Sequence, residues 1–121
     1  MAQAMVERMG QEFGTRPERL QVAIGPSIGK ECFEVDEPVA LEFQKLPQAE
    51  RFVTGPQREK YHVDLWECNR QFLLAAGVQP EHITVGQVCT MCESDLLFSH
   101  RKTRGQRGSN CAMLSLKEEV L

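Results

Sequence analysis

Ala2, Met5, Val6, Met9 and Phe13 recur at i, i+3, i+4 and i+7, while Glu7, Arg8, Gln11 and Glu12 fall between them. That spacing predicts an amphipathic helix over residues 2–13. Gly14 fits a left-handed cap, and Pro17 prevents the helix from resuming. Leu20 to Ile24 reads as a short buried strand that runs into the loop "GPSIG". A second helix begins at Asp36, with Pro38 in its first turn, where a missing N–H costs nothing. Val39, Ala40 and Phe43 form its apolar side. Residues 47–60, "PQAERFVTGPQREK", are polar and turn-rich, which predicts a surface excursion.

"YHVDLWECNRQFLLAAG", residues 61–77, is the clearest element. Tyr61 to Val63 is extended, Asp64 is placed as an N-cap, and Gly77 ends the helix. Leu65, Cys68, Phe72 and Ala76 make its buried stripe, widened by Trp66, Leu73 and Leu74. Further strands are predicted at His82 to Val85 and near Cys111 to Leu116. Strands alternating with helices indicate an α/β layer architecture. So few short strands leave sheet edges and apolar faces uncovered, an expectation that calls for a partner: the rest of a larger domain, or another subunit.

A chain of 121 residues holds one domain at most, and 41% apolar with 26% charged residues is ordinary for a globular protein. The net charge of -3 argues against nucleic acid as a partner. No apolar run has the length of a membrane span, and "MAQAMVERMGQEF" lacks the basic start and apolar stretch of a signal peptide. Five scattered cysteines are an odd count, which predicts reduced thiols and a cytoplasmic location.

Candidate chemistry concentrates in "CTMCESDLLFSHRKTRGQRGSNCAML", residues 89–114. Cys89, Cys92 and His100 are zinc-ligand types, and a C-x-x-C turn brings two thiolates to one metal. A fourth ligand would have to come from Cys111 or His82, far along the chain. "AIGPSIG" offers glycines around Ser27 whose N–H groups can form an anion nest, although, taken alone, the loop is better read as a plain strand-to-helix connection. His62 and His82 stand at strand margins, where a histidine is usually structural. Cys68 reads as a small core residue. Arg101, Lys102, Arg104 and Arg107 make a local basic run suited to a small anion. His100 and Arg101 emerge from apolar Leu96 and Leu97, where a charge needs a partner.

"AIGPSIGKECFEVDEPV", "VDLWECNRQFLLAAGV", "CT" and "LLFSHRK" together, in this order and spacing, resemble the C-terminal half of the laccase-domain family. Its members are also called multicopper polyphenol oxidase-like proteins and are described as purine nucleoside phosphorylases. The resemblance covers nearly the whole chain. It implies a three-layer α/β/α fold with a mixed sheet, of which residues 1–121 form only the C-terminal portion. It also implies phosphorolysis of adenosine and inosine, with adenosine deamination as a second activity. The metal it implies is zinc, or copper in the older assignment. The family's ligands lie in H-G, A-D-C and A-H-A-G-W segments, and none of the three occurs here, so no residue of this chain is expected to hold that metal. The chain alone is then expected to be inactive, with its partner the metal-binding half.

Carried onto this sequence, Cys89 and Thr90 match the family's Cys-Thr, and Ser99 and Arg101 match its F-F-S-x-R. With Gly25 and Ser27 of the loop, they are the candidates for contact with a purine nucleoside and phosphate. Cys89 and Arg101 are expected to face a common cleft, with His100 pointing the other way along an extended segment. "RGSN" stands where the family carries T-G-R. The rival readings are a copper-dependent polyphenol oxidase, which needs several His-rich copper sites, and a noncatalytic module that binds a partner.

Overall fold

A computed structural model describes residues 2–115. In chain order it contains α1 (Ala2–Phe13), β1 (Val22–Ile24), β2 (Glu34–Val35), α2 (Glu37–Gln44), β3 (Val53–Gln57), β4 (Lys60–Val63), α3 (Leu65–Ala75), β5 (Ile83–Val85) and α4 (His100–Thr103). Single 3-10 turns at Pro17–Arg19, Ala49–Arg51 and Pro80–His82 lead into β1, β3 and β5. The α/β class is as expected, with parallel and antiparallel pairings divided between two small sheets. β1 pairs in parallel with β5, Val22 opposite Ile83 and Ile24 opposite Val85. The other sheet is antiparallel, in the order β2-β4-β3.

Two apolar clusters form the core, and α3 joins them. Val35, Ala40, Ala49, Phe52, Val63 and Cys68 pack α2 and α3 against the antiparallel sheet. Val6, Leu73 and Val78 close α1 and α3 over Leu20, Val22, Ile24 and Ile83 of the parallel pair. The breadth of the apolar stripe on α3 therefore has a cause: one flank serves each cluster. Asp64 caps this helix, its side chain accepting a hydrogen bond from the Glu67 N–H at 3.1 Å, and Gly77 leaves it with φ +102°.

Several expectations are corrected. Residues 47–60 are largely exposed, as expected of a surface excursion, but they are not an irregular one. They hold β3, the hairpin into β4, and Phe52, which is 1% exposed and among the most deeply buried side chains. A single Ala-x-x-Phe spacing across a 3-10 turn buries both apolar residues, too short a signal for a periodicity reading. The loop after β1 does not enter a helix directly but reaches β2 first. Asp36 precedes α2 as expected, yet its side chain makes no cap bond and pairs with Lys60 instead. Residues 111–115 form no strand, and Leu116 lies outside the described residues. The stretch at His100 and Arg101 is the helical turn α4 rather than an extended segment. Among the described residues no helix is long and apolar enough to cross a membrane.

Candidate functional site

Parallel strands place whatever follows their carboxyl ends side by side, and in α/β proteins that is where ligands gather. Here the pairing of β1 with β5 is prolonged by the Gly86 N–H bonding Ile24 O at 2.9 Å and the Ser27 N–H bonding Val88 O at 3.2 Å. The Thr90 N–H then bonds Ser27 O at 3.1 Å, within a parallel bridge between Ser27 and Cys89. The loop from Gly25 to Phe33 and the loop from Gly86 to Ser99 are thereby fastened to each other. Two cavities open beside this seam.

The first, about 530 Å³, is lined by Ser27, Thr90, Ser99 and Arg101, four of the six substrate-contact candidates. His100 and Arg107 also line it, and no carboxylate does among the described residues. Arg101 is held in place from two sides: its Nη1 donates to Glu34 O at 2.9 Å, and its guanidinium lies 5.3 Å from the centre of the Phe33 ring. Ser99 is buried, and its hydroxyl accepts from the Lys102 N–H at 3.3 Å, so it caps α4 and sets the direction of Arg101. The "RGSN" segment folds back over the same cavity. Asn110 clamps Phe98 at both ends, accepting from its N–H at 3.1 Å and donating to its carbonyl at 2.9 Å. His100 lines the cavity with Arg101, contrary to the alternation expected of an extended segment, because adjacent residues on a helical turn are not thrown to opposite faces.

The second cavity, about 310 Å³, is lined by Cys32, Cys89 and Cys92 with Trp66, Asp64, Glu31, Lys30 and Gly29. Cys89 and Arg101 therefore line different cavities, not a common cleft. Gly25 lines neither cavity. No anion nest is left at Ser27 or Gly29: the Ser27 N–H is engaged by Val88 O, and the Gly29 N–H donates to Cys89 Sγ at 3.2 Å. Trp66, expected only to widen the core stripe, donates from Nε1 to Ser27 Oγ at 2.6 Å and forms the wall between the seam and the thiols.

All five cysteines are free thiols. Cys32 Sγ lies 3.4 Å from Cys92 Sγ, and the Cys92 N–H reaches Cys89 Sγ at 3.5 Å. Burial opposes the Cys89 thiolate, but hydrogen bonds from the Gly29 and Cys92 N–H groups and from the Cys92 and Cys32 side chains outweigh it and lower the pKa to about 7. Cys32 is pushed the other way, to about 12, first by its hydrogen bond with Cys92 and then by burial and its two thiol neighbours. The three sulfurs lie within 4.8 Å of one another, close enough to hold one metal ion. Cys32 was missed in the sequence. Its signal is topological: the loops after two adjacent parallel strands must meet, but strand order is needed to see it. His100, a zinc-ligand type near Cys89 and Cys92 in the sequence, lines the other cavity. His82 stands before β5 with a buried Nδ1 that has no hydrogen-bond partner.

The family model described as multi-copper polyphenol oxidoreductase laccase matches residues 1–117. The chain belongs to that family. It is 43% identical over 107 residues to the purine nucleoside phosphorylase YlmD of Geobacillus stearothermophilus, covering 85% of this chain and 38% of that protein. It is 39% identical over 104 residues to adenosine deaminase RL5 of an unknown prokaryotic organism, covering 84% of this chain and 39% of that one. The crystal structure of the Geobacillus YlmD superposes with a TM-score of 0.80 at 39% identity, over 88% of this chain and 40% of that chain. The chain thus spans about two-fifths of the length of these family members. Copper sites of phenol oxidases are rich in imidazole. The only ligating cluster of three or more side chains among the described residues is made of thiols, so it does not fit a multi-copper centre.

Proposed function

We propose that this chain supplies the anion-binding wall of a purine nucleoside phosphorylase acting on adenosine or inosine, and that the rest of the site comes from residues beyond these 121. The observation that carries the reading is the cationic cavity at the carboxyl ends of β1 and β5, where Ser27, Thr90 and Arg101 meet and no carboxylate intrudes. Its volume, about 530 Å³, falls in the range of small-molecule sites. Phosphorolysis brings a phosphate to the ribose as negative charge grows on the departing base, and both anions are stabilised by donors fixed beforehand. Arg101 is such a donor. One guanidinium N–H is tied to Glu34 O, Phe33 flanks the guanidinium, and its remaining donors border the cavity. The hydroxyls of Ser27 and Thr90 suit ribose or phosphate, and Ser99 acts by fixing α4 rather than by touching substrate.

The proposed family metal is zinc, held outside the described cavity wall, where it would supply Lewis acidity to the reacting anion. Five free thiols suit a reducing compartment and support a cytoplasmic location. Deamination of adenosine is the second reading, favoured by the similarity to a relative named for that activity.

The test is a chimera in which these residues replace the corresponding stretch of the Geobacillus relative. The chimera should release hypoxanthine from inosine in a phosphate-dependent manner, and the 121-residue chain alone should not. Arg101→Met in the chimera should lower kcat/KM by about a hundredfold, the typical loss for one preorganised donor. Unchanged turnover in the Arg101 variant would remove this residue from the site, and conversion of adenosine to inosine with release of ammonia, independent of phosphate, would favour deamination.

A further inference from the structure

We propose that Cys32, Cys89 and Cys92 form a binding site for a single thiophilic cation, zinc or cuprous copper, that clips the loop after β1 to the loop after β5. Three sulfurs bonded to one zinc ion at about 2.3 Å in tetrahedral geometry stand about 3.8 Å apart. The Cys32–Cys92 separation of 3.4 Å and the 4.8 Å limit on all three pairs bracket that figure, so closure needs only small rotations of the side chains. The thiols converge on a cavity of about 310 Å³ that leaves room for the ion and for a fourth donor. Glu31 and Asp64 line the same space and can fill that position, as can water. Lys30, also in the lining, offsets the surplus negative charge of three thiolates around a monovalent or divalent ion.

The surroundings are those of a held site rather than of three scattered thiols. Gly29 lets the two loops touch: a Cβ there would lie 3.3 Å from Cys89 Cβ and 3.4 Å from the Trp66 ring. The Gly29 and Cys92 N–H groups both point at Cys89 Sγ, a pattern that orients a sulfur ligand and supports its negative charge. As each sulfur bonds the ion, its proton passes to solvent, and no electron is transferred. The clip joins residues 60 apart in sequence. Its effect falls on Ser27 and Thr90, which sit on the same two loops and line the neighbouring cavity. The cation holds that wall in place and takes no part in the chemistry within it.

The experiment uses the whole 121-residue chain, reduced and freed of metal, titrated with zinc in one arm and with cuprous copper in the other, each against a chromophoric chelator. One cation per chain is expected. Cys32→Ser should weaken binding by at least about a hundredfold, the upper end of what even an outer-shell change costs a metal site, whereas Cys111→Ser should leave affinity unchanged. Because Cys32→Ser can also disturb folding, a second readout uses the unaltered chain: bound cation should protect Cys32, Cys89 and Cys92 from alkylation while Cys111 still reacts. Tight binding in one arm alone identifies the ion and supports the site. Failure to form a one-to-one complex in both arms, equal weakening by the Cys32 and Cys111 variants, or alkylation of the three thiols at the same rate with and without cation would overturn it. Loss of phosphorolysis in the chimera would leave this result untouched, since the readouts are binding and protection.

Discussion

At the scale of single residues, two cysteines that look alike in the sequence have been given opposite chemistry by their neighbours. Cys89 collects N–H donors from Gly29 and Cys92, which lower its pKa to about 7. Cys68, buried on α3, is pushed upward because burial disfavours its charged form. A thiol reacts with an alkylating reagent as the thiolate. In the metal-free chain, alkylation of Cys89 should thus be fast above pH 7 and fall about tenfold per unit below it. Cys68 should stay unmodified across the same range until the protein unfolds. Peptide mapping of iodoacetamide-treated samples checks both, and a Cys89 profile centred near the ordinary cysteine value of about 8.5 would contradict the hydrogen-bond account. Arg101 illustrates the same dependence on neighbours. Its basic character was plain in the sequence, but its fixed position comes from a carbonyl and a ring that stand 67 and 68 residues earlier.

At the scale of elements, α3 is the member on which both core clusters rest, so its ends are where stability can be probed with least disturbance. Asp64→Ala removes the bond to the Glu67 N–H and should cost about 1 kcal/mol. Gly77→Ala places a side chain at φ +102°, with its Cβ 3.1 Å from Pro17 Cβ. That change should cost more than the cap, about 2 kcal/mol or above, since strain and a close contact with the turn before β1 add together. Urea unfolding of the two variants gives the order; a Gly77 variant as stable as the parent would show that the α3 terminus can rearrange freely. Phe52 is the harsher case. Its loss should cost about 3–5 kcal/mol by the usual scale for a buried aromatic, although it sits in a stretch whose composition reads as surface.

At the scale of the whole molecule, the two sheets differ in how they are supported. The antiparallel sheet is backed by α2 and α3 around a closed cluster. The parallel pair has α1 and α3 on it, and β1 and β5 each keep one edge without a neighbouring strand among the described residues. The chain beyond α4 has side chains exposed throughout residues 104–115, including Met113 and Leu114, over 90% exposed. Amide exchange should follow this gradient, slowest in α3 and β4, intermediate in β1 and β5, fastest after Arg104. Exchange measured by mass spectrometry on the isolated chain tests the ordering, and protection after Arg104 equal to that of α3 would contradict it. Phe13, Leu96, Met113 and Leu114 are among the large apolar side chains left exposed on this chain.

The sequence by itself determined the helices whose periodicity runs for two turns or more, the caps at Asp64 and Gly77, the α/β class and membership of the family. These depend on interactions within about ten residues, or on motifs spread along the whole chain. Phe52 in its short 3-10 turn, the helical turn at His100 and the meeting of Cys32 with Cys89 and Cys92 were decided only by the tertiary structure. Each depends on a neighbour far along the chain: Phe52 on the α3 stripe, Arg101 on Glu34 and Phe33, and the thiols on the parallel register of β1 with β5. A pairing of strands separated by some sixty residues leaves no local trace in either strand, and it is this pairing that brings Ser27 to Thr90 on one side and Cys32 to Cys92 on the other.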